Sequence, residues 1–271
     1  MSLLRCVCPA SLPRPPAFGP SPFGAVLVAA ALCGAPAPAA AQVIQNYESM
    51  DRAAGEGVYA TFALALDVSA GNSEYVDADA SGAFGYKGER NWIRLYPGYR
   101  VKRAGSATVA DERAAHLRHS WLFTERTRSF AFLQFQSDRA LELERRVLLG
   151  GGLRHRIVGI GEEGGLDLGV GVMWEEEKLE TGEEEELFRG ANLVSATGTA
   201  GSVELTLTGY LQPALTDWAD HRIAASGSAA VPLGEAWALT VSARFRRDSR
   251  PPPEVDPNDA GLTVGVRFRV N

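Results

Sequence analysis

The stretch Leu262 to Asn271, Leu-Thr-Val-Gly-Val-Arg-Phe-Arg-Val-Asn, alternates without a break. Side chains of a strand point to opposite faces with period two. Leu262, Val264, Val266, Phe268 and Val270 therefore share one face, and Thr263, Gly265, Arg267, Arg269 and Asn271 the other. One such strand also fits a soluble sandwich. Here the pattern recurs about twelve times with no helical period between, as expected of a transmembrane β-barrel whose lipid-facing and lumen-facing residues alternate.

The chain opens differently. Arg5 and Arg14 precede an apolar run from Phe23 to Leu32, and a small-residue tail ends at Ala39-Ala40-Ala41. That order is the signature of a secretory signal peptide. Residues 1–41 are read as this leader, residues 42–57 as a periplasmic lead-in, and residues 58–271 as the barrel. The apolar run is too short for a membrane anchor, which needs about 20 residues. Cys33 follows Leu32, which is too large for a lipoprotein signal. Cys6, Cys8 and Cys33 all lie in the leader, so the mature chain has no disulfide framework, thiolate metal site or cysteine nucleophile. A chain without cysteine also suits an oxidising compartment.

Of the 271 residues, 41 belong to the leader, which leaves 230 for one large all-β domain. Loss of Arg5 and Arg14 takes the net charge from −6 to −8. That balance argues against a nucleic-acid partner, which requires clustered positive charge. A mean hydropathy of −0.09 excludes a helical membrane protein and is compatible with a barrel whose interior is polar.

In order, the expected strands are Val58–Ser69, Glu74–Tyr86, Asn91–Lys102, Ala114–Phe123, Ser129–Gln136, Glu144–Val158, Leu166–Glu175, Leu187–Thr199, Ser202–Gln212, His221–Val231, Trp237–Arg247 and Leu262–Asn271. This makes a single antiparallel up-and-down barrel of about 12 strands, an even number being the rule for such chains. Gly71-Asn72-Ser73 suits a tight turn. Pro97 lacks a ladder donor, so a bulge or strand end is expected there. Gly150-Gly151-Gly152 allows sharp curvature or close approach. Barrels alternate short periplasmic turns with longer external loops. Lys87–Arg90, Thr124–Arg128, Ala200–Gly201 and Pro232–Ala236 read as the short connections. Arg103–Arg113, the acidic segment Glu175–Glu186, Pro213–Asp220 and Ser249–Asn258 read as the long ones. Trp92, Trp121, Trp174, Trp218 and Trp237 sit near strand ends, as interfacial girdles require.

Several stretches together resemble a known family. They are Gly71-Asn72-Ser73, Gln134-Phe135-Gln136-Ser137-Asp138 through Leu143-Glu144-Arg145-Arg146 to Gly150-Gly151-Gly152-Leu153, Gly165–Glu176, Asp248-Ser249-Arg250-Pro251-Pro252, and Asp259 to Phe268. In this order, over roughly Val58 to Phe268, the chain resembles the YdiY-like salt-induced outer-membrane proteins, a domain-of-unknown-function family. The resemblance implies an outer-membrane barrel and imports no defined activity. Such barrels usually end in Phe or Trp, read by the assembly machinery. Here Phe268 stands three places from the end.

Three groups invite a chemical reading. His116, His119 and Ser120 suggest a serine hydrolase, whose nucleophile needs a base within hydrogen-bond reach. His119 and Ser120 are adjacent and point to opposite faces. His116 and Ser120 share a face but stand about 13 Å apart by the strand rise. The acidic segment reads as a solvated loop. The sharper alternative is a set of carboxylates bridging through Mg²⁺ or Ca²⁺ to lipopolysaccharide phosphates. Arg154, Arg156, Arg244, Arg246, Arg267 and Arg269, with Asp167 and Glu204, are expected to line a lumen. They form either a selective pore, since charged rings set ion preference, or a salt-bridged plug.

The expectation is a non-enzymatic outer-membrane protein acting in permeability or in salt and osmotic stress tolerance, with no catalytic residue, metal or cofactor. Its partners would be outer-membrane lipid and lipopolysaccharide and the assembly machinery. The alternatives are a narrow ion- or solute-selective pore, a lipid-modifying enzyme and a soluble periplasmic lipid-binding barrel. Inward-facing apolar rows would mark the last of these.

Overall fold

The computed structural model describes residue 50 and residues 56–69, 74–160, 164–252 and 255–270. The leader, most of the lead-in and the Gly71-Asn72-Ser73 turn lie outside the described residues. Thirteen strand segments are present: β1 (Gly57–Ser69), β2 (Tyr75–Lys87), β3 (Asn91–Ala104), β4 (Ala107–Leu122), β5 (Thr127–Asp138), β6 (Leu143–Ile160), β7 (Gly164–Leu179), β8 (Glu184–Gly190), β9 (Asn192–Ala200), β10 (Val203–Pro213), β11 (His221–Pro232), β12 (Trp237–Asp248) and β13 (Asn258–Val270). β8 and β9 pair with β7 in one register, Gly190 opposite Val172 and Leu193 opposite Gly169, so they are one barrel strand interrupted at Ala191. β1 pairs with β13, and every strand is antiparallel to its neighbours, which closes a ring of 12 strands.

The outward rows are apolar. Leu64 is 59% exposed, Val170 63% and Leu262 72%. A soluble protein rarely shows large contiguous apolar surface, whereas hydrocarbon requires it together with a sheet that has no free edge. The inward rows are polar or small: Thr61, Gln134, Gln136, Ser195, Thr208 and Gln212 are all buried. The apolar face is thus outside, which removes the lipid-binding soluble barrel from the alternatives.

Inside, the lumen is filled unevenly. Phe132, Leu148, Met173, Ala191, Leu193 and Tyr210 form an apolar cluster on the β5–β10 wall, with Phe130 against it. Glycines admit these rings. A Cβ on Gly150 would lie 2.6 Å from Phe132 Cζ, and one on Gly152 would lie 2.1 Å from the Val170 carbonyl oxygen of the next strand. The sheet bends inward here so sharply that only hydrogen fits. Met50, ahead of the barrel, is buried against Ala83 and Tyr96.

Three expectations are corrected. Arg103–Arg113 is not a loop: β3 and β4 continue through it and turn at Gly105, whose φ of +57° suits glycine. The acidic segment is not a loop either. Glu175, Glu176 and Glu177 extend β7, Glu184–Glu186 open β8, and only residues 180–183 connect them. Pro97 makes neither a bulge nor an end. β2 and β3 keep one register on either side of it, Gly98 opposite Ser81 and Leu95 opposite Phe84, with ladder pairing missing between. The irregularity in β3 falls instead between Lys102 and Arg103, against β4.

The short turns stand where expected, at residues 88–90, 123–126, 201–202 and 233–236, on the end where β1 begins and β13 finishes. At the far end the long connections are residues 214–220 and 249–257. They are clasped together by Arg250, which donates to Asp217 Oδ2 at 2.5 Å. Asp217 also accepts from the Ala219 backbone at 3.0 Å, and these two bonds, that from Ala219 first, hold its carboxyl below the usual carboxylate range. A depressed carboxylate stabilises above its unfolded pKa and loses that contribution as pH falls through its folded one. Hydrogen-exchange protection in residues 214–220, corrected for the intrinsic rate, should therefore fall below about pH 4, and Arg250→Ala should lower it at neutral pH. Unchanged protection in both would mean that this clasp holds nothing.

Candidate functional site

The lumen holds two charged assemblies. At the far end the first crosses the barrel from β6 to β12. Glu175 sits between Arg189, whose Nε donates to it at 2.7 Å, and Arg222, whose Nη1 also donates to it. Arg189 continues to Asp220 at 2.9 and 3.0 Å, and Arg222 to Asp248 at 2.8 Å and Glu177 at 2.9 Å. Arg146 joins through Glu177 and Glu175. The positions follow from parity: Glu175 and Glu177 are on the inward face of β7, while Glu176 faces out and pairs with Arg145. Glu175, Arg189 and Asp248 are almost wholly buried. Ions so far from water need full pairing, and here each meets at least two partners or one twice. These carboxylates are consumed in a salt-bridged bundle. The divalent bridge to lipopolysaccharide phosphates therefore loses Glu175 and Glu177 as ligands.

The second assembly, toward the end where β1 begins and β13 finishes, has two separate parts. Asp167 receives Arg154 at 2.7 Å, Arg156 at 2.9 Å and Arg128 at 3.2 Å. Glu204 receives Arg267 at 2.5 Å, with Arg269 at 3.9 Å. The predicted lumen arginines thus do face inward, and Asp167 and Glu204 are the partners of Arg154, Arg156, Arg267 and Arg269. Arg128 was missed by sequence reasoning, although its inward parity on β5 was readable.

The hydrolase cluster comes apart. His116 is buried, stacked on Phe132 at 5.5 Å between ring centres, and its Nδ1 is 2.9 Å from Gln134 Oε1. His119 lies on the other face with Nε2 3.0 Å from Asn91 Oδ1. Ser120 accepts from Arg94 at 2.5 Å. The three side chains are thus committed to different partners. The girdle expectation also needs correcting at Trp92. It faces the lumen, under the Arg94 guanidinium at 4.0 Å, and donates to Tyr59 Oη at 3.1 Å. Trp237 does lie outside, near the end of β13, against Phe268.

Between the two assemblies a cavity of about 270 Å³ remains, lined on one side by Tyr210 of the aromatic cluster. Its wall is small and polar along β11, with Ser226, Gly227 and Ser228, and charged elsewhere, with Asp79, Arg100, Glu112, Arg244 and Arg246.

A closed antiparallel ring, apolar without and charged within, defines a transmembrane β-barrel. The chain belongs to the family described as "Protein of unknown function, DUF481", whose model matches residues 62–269. That family includes YdiY-like outer-membrane proteins. Among solved structures the chain is similar to the NanC porin, with a TM-score of 0.52 at 7% identity, covering 78% of this chain and 100% of that one. It is also similar to the translocator domain of autotransporter NalP from Neisseria meningitidis, with a TM-score of 0.45 at 13% identity over 82% and 91%. A third similar structure is LpxR from Salmonella typhimurium, with a TM-score of 0.41 at 8% identity over 78% and 98%. At such identities the likeness is one of fold. No curated protein matches the chain.

Proposed function

We propose that this protein is a non-enzymatic outer-membrane barrel of the Gram-negative envelope, exported by cleavage after Ala41, that admits ions and the smallest polar solutes through a restricted lumen. Its place in the YdiY-like, salt-induced branch, and a role in osmotic tolerance, are part of the same proposal. The observation that carries it is the 270 Å³ charged cavity left beside a lumen otherwise closed by aromatic rings and ion pairs. Twelve strands enclose only a narrow interior, since diameter grows with strand number. Lipid and lipopolysaccharide meet its outer face, and the assembly machinery inserts it.

Conductance in a planar bilayer tests the proposal. Small, stable steps are expected, with the ion preference shifted by Arg244→Ala, because lumen charge sets selectivity. Silence in inserted protein would mean a sealed structural barrel, and large unselective steps a general diffusion pore.

A further inference from the structure

The cavity is charged unequally across its width. On β2 and β4 it presents Asp79 and Glu112, and on β12 it presents Arg244 and Arg246. Most lumen charges are satisfied by one another. Arg100, which stands between Asp79 and Glu112 in the sheet, is held by Asp77 at 2.7 and 2.9 Å. Arg246 has Asp259 at 3.9 Å.

Asp79 and Arg244 are different. Among the described residues neither makes a hydrogen bond or an ion pair, and the buried Nε of Arg244 has no acceptor. Their interaction with each other is electrostatic, at a distance. Around Arg244 the charges are Arg246, Arg100, Glu112 and Asp259; around Asp79 they are Glu112, Arg244, Arg100 and Asp77. Arg244 is also seated with care: it lies across Gly261 on β13, where a Cβ would come within 3.0 Å of its Nε. A guanidinium that faces the cavity without a protein acceptor suits an incoming one.

We infer that the cavity is a binding site for a small zwitterion, whose carboxylate meets Arg244 and whose ammonium meets Asp79. A transverse field of this kind favours a dipole over a single charge. A lone anion gains Arg244 and Arg246 but is repelled by Asp79 and Glu112, and a lone cation the reverse. Ala63 and Ala65 on β1 and Gly265 on β13, the strands between β2 and β12, leave room between the poles. The site deepens the permeation reading and rests on it for its purpose, but not for its detection.

Calorimetric titration of the full barrel in detergent micelles tests it, with glycine, β-alanine and γ-aminobutyrate as probes and acetate and ethylammonium as singly charged controls. At least one zwitterion should bind saturably and at least tenfold more tightly than either control. Asp79→Asn and Arg244→Gln should each weaken it at least tenfold, in protein that retains heat-modifiable migration. Equal binding of acetate, or no saturable zwitterion binding, would overturn the assignment in the wild type alone, whether or not the variants fold. Binding in a barrel that passes no current would leave the site standing and refute the permeation reading. Current without binding would do the opposite.

Discussion

Glu175→Ala is expected to cost about 3–5 kcal/mol, the usual penalty for removing one member of a buried ion pair. The carboxylate is 2% exposed and lies between Arg189 and Arg222. Without it Arg189 keeps only Asp220 and Arg222 keeps Asp248 and Glu177, so both guanidinia, and Arg146 beside them, lose an acceptor in a dry site. Equilibrium unfolding in urea, followed by the tryptophans, reads the loss directly. The same variant opens the far end of the lumen, so conductance per step should rise as stability falls. A stable variant with unchanged conductance would show that the bundle neither braces nor narrows the barrel.

Gly152→Ala is the second large effect. A methyl there would sit 2.1 Å from the Val170 carbonyl oxygen and 2.6 Å from Gly171 Cα, both backbone. Backbone cannot swing aside as a side chain can, so the β6–β7 ladder must part or flatten. Overpacking costs about 1–3 kcal/mol, and this position should reach the top of that range. Folding yield in micelles should drop sharply. Gly159→Ala, where nothing lies within 4 Å of the new methyl, is the matched control. Equal yields for the two would contradict the account of curvature at the glycine run.

These two sites also mark how far the sequence could be read. Where strands cross hydrocarbon the alternation is sharp, as in Leu262–Val270, and faces, order and ring closure follow from period two. Beyond the apolar band both faces of a strand meet polar surroundings and the pattern vanishes. That is why Arg103–Arg113 looked like a loop, although Arg103 pairs with Thr108 across the hairpin and Asp111 with Arg113 along the strand. It is also why Glu175–Glu177 read as a charge run. Glu176 serves the outer face while Glu175 and Glu177 serve the bundle, and only the parity carried on from Leu168–Trp174 separates them. Arg154 and Arg156 were legible as lumen residues from parity. Their convergence on Asp167 was half legible, because a hairpin partner lies at a readable distance along the chain. The link from Glu175 to Arg222, 47 residues apart, was not.

A barrel that spans the membrane turns its apolar side chains to lipid and its polar ones to water within the ring. Residues 42–271 contain no cysteine, so single cysteines placed in that stretch expressed alone can carry nitroxide labels without background. Labels at Leu64, Leu207 and Val264 in proteoliposomes should relax faster with oxygen than with a water-soluble nickel complex. Labels at Ser226, Thr240 and Ser242 should show the reverse. Nickel accessibility at the first three positions, or oxygen preference at the last three, would contradict a water-lined barrel spanning the membrane.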